Sequence, residues 1–119
     1  MVPKMEADKD ESITSQYADD PEMAELIDGF IESLRETVGI LRADLVKNEL
    51  THLGRIAHQL KGAGAGYGFP LITQLAARVE VRVNAKLDAV GLEQSVTELT
   101  QACEAAIRGR QLPSSTVLP

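Results

Sequence analysis

The sequence predicts an all-α protein, an antiparallel up-down-up-down four-helix bundle. Three observations predict it. Apolar residues recur at helical spacing almost throughout residues 20–110, with no run of the strict alternation that a half-buried strand needs. The ends of the expected helices carry residues suited to starting or stopping a helix. The expected connections are about two to five residues long, so each helix must turn back alongside the one before it.

The first helix is expected to start at Asp20-Pro21, where aspartate can cap free N–H groups and proline suits the first helical position. Glu22 and Glu25 add negative charge at the positive end of the helix dipole. Its stripe is Met23, Leu26, Ile27, Phe30, Ile31, Leu34, Val38, Leu41 and Leu45, ending near Lys47-Asn48. Gly29 and Gly39 weaken it locally and allow a kink. The second helix is expected from Glu49-Leu50 to Gly66, with Leu53, Ile56, Ala57, Leu60, Gly64 and Tyr67 on one side. Gly68-Phe69-Pro70 ends it, glycine suiting a left-handed stop and proline opening the next helix. The third helix carries Ile72, Leu75, Ala76, Val79, Val83 and Leu87, and the turn Asp88-Ala89-Val90-Gly91 is expected to break it. The fourth runs from about Leu92 to Arg110, with Val96, Leu99, Cys103 and Ile107 inward.

The chain has 119 residues, enough for one domain with its own core, which we place at residues 20–110. Residues 1–19 are expected to form a flexible polar lead-in with a short turn near Ile13–Tyr17, its charges (Glu6, Asp8, Asp10, Glu11) only solvating. Residues 111–119, which contain LPSSTVLP, are expected to be a tail. With 12 Lys+Arg against 18 Asp+Glu the net charge is −6, a poor match for nucleic-acid phosphate. Two Tyr, two Phe and no Trp leave little to stack bases on. The single cysteine, Cys103, excludes an internal disulfide or a multi-cysteine metal cluster and is expected to pack in the core. No stretch approaches about 20 apolar residues, and the first fifteen residues lack the apolar run of a secretory signal. The expectation is a soluble, cytoplasmic, monomeric domain that neither binds nucleic acid nor inserts in a membrane.

The chemically loaded stretch is Ala57–Gly68, AHQLKGAGAGYG. At about 100° per residue, His58 lies about 140° from the Leu53/Leu60 centre of the apolar stripe. It is expected to be exposed in the middle of a helix. Above and below it lie Gly54, Gly62 and Ala65, small residues that leave the imidazole uncovered. Each glycine in a helix interior costs about 1 kcal/mol relative to alanine, which argues for a use. Lys61 overlooks the same patch. An accessible imidazole beside an ammonium suits nucleophilic attack on a phosphoryl group, although a lone surface histidine is more often merely solvated, and helix glycines often serve close packing.

The string His58-Gln59-Leu60-Lys61-Gly62-Ala63-Gly64-Ala65-Gly66-Tyr67-Gly68-Phe69 resembles the signature of histidine-containing phosphotransfer (HPt) domains. A long helix before the motif and two helices after it are also similar to that family, so the resemblance covers roughly residues 21–110. It implies a phosphorelay module in which His58 accepts a phosphoryl group from a receiver-domain aspartate or a histidine kinase and passes it to a receiver. It further implies Lys61 as the positive group beside the phosphoryl oxygens, Gly62 as the residue leaving room for them and Gly68 as the helix stop. Ala63 and Gly64 stand where serine is also frequent in the family, which removes possible hydroxyl contacts. The resemblance implies no cofactor of the chain's own, with Mg²⁺ on the partner receiver, and leaves open a free-standing carrier or a piece of a hybrid sensor kinase. Docking is expected on an apolar patch around Ala57, Ala65 and parts of the first helix.

Other chemistries fit less well. The glycines at 62, 64, 66 and 68 do not match G-x-G-x-x-G, no strand precedes them, and no G-K-[ST] follows. His52 and His58 are six residues apart and face different ways, so a bundle metal site is not expected, and His52 is read as a solvated helix residue. Arg55, Arg78 and Arg82 are weaker candidates. With the second hairpin closed near Gly68-Phe69, Val79 falls opposite His58, so Arg78 or Arg82 is a possible flank for the phosphate. The rival from another class is a helical-bundle interaction module without chemistry, its glycine column receiving a partner helix.

Overall fold

The computed structural model describes residues 12–85 and 89–117. Among them it is all-helical: α1 (Ala24–Val46), α2 (Leu50–Gly66), α3 (Pro70–Ala85) and α4 (Ala89–Val117). Each helix packs on two others, α1 on α2 and α4, α3 on α2 and α4, which closes a four-helix bundle. Ile27, Leu34, Leu41, Leu53, Ile72, Val79, Val96, Leu99 and Cys103 are fully buried, all from the apolar stripes expected of their helices. Each large aliphatic side chain sealed in this way contributes about 1.5–3 kcal/mol of transfer free energy. Burial pushes the Cys103 thiol up to about 12, with the neighbouring Glu104 charge adding to it, so this residue is inert core. At the turn end of α2, Phe30 of α1 stacks on Tyr67 at 4.8 Å and tilts against Phe69 at 5.7 Å.

Several element ends differ from expectation. The first helix begins at Ala24 rather than at Asp20-Pro21, and Met23 at its cap makes no side-chain bond. Asp20 closes a separate turn, its Oδ1 accepting the Glu22 N–H at 2.9 Å, and this local bond satisfies the aspartate before the helix starts. The expected break at Ala89-Val90-Gly91 is the opening of α4 instead, since one glycine weakens a helix without forbidding it. Leu87 and Asp88 lie outside the described residues. The fourth helix also passes Arg110 and continues to Val117 through the segment expected as a tail. Pro113 removes one ladder hydrogen bond but leaves its neighbours' bonds available. Leu26 stands 53% exposed, outside the stripe it was assigned to.

The expected lead-in also differs over residues 12–19, residues 1–11 lying outside the described ones. Ile13 packs on the core and its N–H donates to the Ala105 carbonyl at 3.1 Å. Ser15 is buried, donates to the Tyr67 carbonyl at 2.6 Å and accepts from the Tyr17 N–H at 2.9 Å. The Gln16 N–H reaches the Gly68 carbonyl at 2.9 Å. This strap ties α4 to the α2–α3 turn, where it brings donors to the Tyr67 and Gly68 carbonyls just past the end of α2. Gly68 in that turn has φ +87°, the left-handed stop expected of it. No helix among the described residues is long and apolar enough to cross a membrane.

Candidate functional site

Helix α2 turns Leu53, Ala57, Leu60 and Gly64 to the core, and this orientation carries His58 outward. Its side chain is 66% exposed. The ring is nonetheless fixed. His58 Nδ1 lies 2.8 Å from Oε2 of Glu80 on α3, and Oε1 of the same carboxylate lies 2.8 Å from Lys61 Nζ. The Lys61 hydrogen bond, then that of His58, hold the Glu80 carboxyl below the usual carboxylate range, outweighing the opposing effect of desolvation. An ionised carboxylate only accepts, so Nδ1 carries the proton toward it and the neutral ring keeps its lone pair on Nε2. The backbone beneath Lys61 is fixed as well, its carbonyl accepting from Thr73 Oγ1 at 2.8 Å.

The small residues around His58 divide by role. A Cβ at Gly62 meets nothing within 4 Å, so the chain's own packing does not require glycine there. Ala65 is exposed on the same flank. Gly54 differs, since a Cβ there stands 3.2 Å from Val83 Cγ1, and Gly64 differs more, its Cβ standing 2.7 Å from Thr73 Oγ1. Both serve the close approach of α2 and α3. The expected docking patch needs one correction. Ala57 is fully buried because it sits on the core-facing side of α2, so it offers no surface. An apolar groove lies between α1 and α2, lined by Leu26, Phe30, Ile56, Gln59 and Ala63.

The arginine candidates separate. Arg78 pairs with Glu98 on α4 at 3.5 Å, which draws it away from His58. Arg82, two residues beyond Glu80 and so on another side of α3, does not line the cleft beside His58. Arg55 does line it, with His58 and Glu80. His52, expected to be merely solvated, instead has Nδ1 2.6 Å from Oδ2 of Asp44. Asp44 is buried (8% exposed) at the end of α1, and a buried carboxylate needs such a partner.

Glu80, which holds both His58 and Lys61, is the candidate-site residue that sequence reasoning missed. Its signal was an acidic residue one position from Val79, the residue expected opposite His58, able to pair with Lys61. Among the described residues, no three His, Cys, Asp or Glu side chains converge on a metal position. In comparisons with known proteins, the family model described as Hpt domain matches residues 25–109, which spans all of α1 to α3 but one residue and most of α4. No curated protein and no solved structure matches the chain.

Proposed function

Because this chain belongs to the Hpt family, and so to the phosphotransfer domains of two-component systems, we propose that His58 carries the phosphoryl group. In this reading the donor is the aspartyl phosphate of a receiver domain, or a histidine kinase, and the acceptor is a receiver domain. The observation that carries it is an imidazole standing in water with one nitrogen held and the other bare.

In the transfer step the Nε2 lone pair attacks phosphorus, the Nε2–P bond forms as the aspartyl O–P bond breaks, and the electron pair leaves on the carboxylate. The Nδ1 proton stays on the ring. Glu80 is a positioning residue: it orients the imidazole and balances the positive charge that grows on it. Lys61 adds cationic charge to the site, and Gly62 leaves space for the incoming phosphoryl oxygens. Mg²⁺ is left to the receiver's acidic pocket. The groove between α1 and α2, with Ala65, is the surface we assign to docking. Three-residue connections at 47–49 and 67–69 support an antiparallel order of helices, and the reading fits a monomeric cytoplasmic domain.

The test is incubation with a receiver domain charged by acetyl phosphate. Acid-labile, alkali-stable phosphate should appear on this chain and be absent from His58→Gln. Partner binding without any transfer would instead leave an interaction module.

A further inference from the structure

Resting on the phosphotransfer reading, we propose that Arg55 is a second cation that binds the phosphoryl group on His58, in the cleft on the N-terminal side of the ring, supplementing Lys61, whose charge Glu80 already balances. Lys61 and Glu80 neutralise each other across 2.8 Å, and the other oxygen of that carboxylate holds His58 Nδ1. A phosphoryl group brings close to two negative charges at neutral pH, and this trio has none left to meet them.

Arg55 is placed to do so. It stands one turn before His58 and makes no ion pair or side-chain hydrogen bond among the described residues. By contrast Arg35, Arg42, Arg78 and Arg110 each face a carboxylate. Helical side chains lean toward the N-terminus, so the His58 ring overlies the turn that holds Gly54 and Arg55. Beside it lies a cleft of about 430 Å³ lined by Thr51, Gly54, Arg55, His58, Glu80 and Asn84. That is ample for a tetrahedral group when one water occupies about 30 Å³ in the liquid. Gly54 and Val83 meet closely in its lining, a Cβ at Gly54 standing 3.2 Å from Val83 Cγ1. The guanidinium fork can take two phosphoryl oxygens together, and the Thr51 hydroxyl and Asn84 amide are further donors.

The probe is phosphoramidate, which needs no docking partner: its P–N bond breaks as Nε2–P forms, and the amine departs as ammonia. Phosphorus NMR of the product then follows titration of the phosphoryl group. A nearby cation favours the dianion, so Arg55→Gln should raise the titration midpoint by about half a pH unit, the size expected of an exposed ion pair. Arg55→Lys should recover part of the shift. An Arg55→Gln protein that titrates like the wild type overturns the proposal. A wild-type protein that takes no phosphoryl group on His58 overturns the phosphotransfer reading itself, a separate failure.

Discussion

His58 Nδ1, both oxygens of Glu80 and the Lys61 ammonium form one chain of contacts, each link 2.8 Å long. Its consequence at the residue scale is that the imidazole is both oriented and polarised by a charge. Glu80→Gln keeps an acceptor for Nδ1–H but loses the charge. Exchanging a charge-assisted hydrogen bond for a neutral one loses about 1 kcal/mol, so we expect transfer to slow about fivefold in stopped assays. The same variant reports on acid stability. A carboxylate held below its unfolded value contributes stability above that value and loses it as pH falls through the folded one. The wild type should therefore melt above Glu80→Gln at neutral pH, with the gap closing only below the ordinary carboxylate value of 4.5. A gap that instead widens on acidification contradicts an ionised Glu80. Helical periodicity made the exposure of His58 legible, because that depends on one helix alone. Glu80 was not legible, because its place opposite His58 depends on the register of α3 against α2 to within one residue, and one residue turns a helix by about 100°.

At the scale of the helices, the glycines of α2 look alike in sequence and differ in what surrounds them. Gly62 faces open space, while a Cβ at Gly64 would press on Thr73 and on the Phe69 carbonyl. Gly62→Ala should therefore raise the stability of the fold by up to about 1 kcal/mol, and Gly62→Gln should fold yet obstruct transfer. Gly64→Ala should cost about 1–3 kcal/mol through overpacking. Denaturant titrations with a transfer assay separate these, and normal transfer by Gly62→Gln contradicts the access argument. Helix interiors were legible from the stripes, but helix ends were less so. Asp20 satisfied itself in a turn, and His52 found a partner in Asp44 that only the α1–α2 corner brings near. Both are choices between local and tertiary hydrogen bonds, which spacing does not reveal.

For the whole molecule, the strap at residues 12–19 fastens α4 to the turn that follows the His58 helix, through Ile13, Ser15 and Gln16. Two apolar or hydroxyl side chains in a polar stretch gave no periodic signal, so packing there was not legible. A Cβ at Gly109 would meet the Ile13 carbonyl, and Gly109→Ala should lift the strap. We expect faster hydrogen exchange at the Ile13 and Gln16 amides with unchanged helical circular dichroism; protected amides in that variant would contradict the contact. The bundle, strap and turn together serve one end, a ring held at Nδ1 and bare at Nε2. Nitrogen-15 NMR of His58 before and after phosphoryl transfer from a charged receiver measures this most directly. The account predicts a proton on Nδ1 in the free protein and phosphorus bonded to Nε2 afterwards. Phosphorus on Nδ1, or a ring protonated at Nε2 alone before transfer, would contradict it.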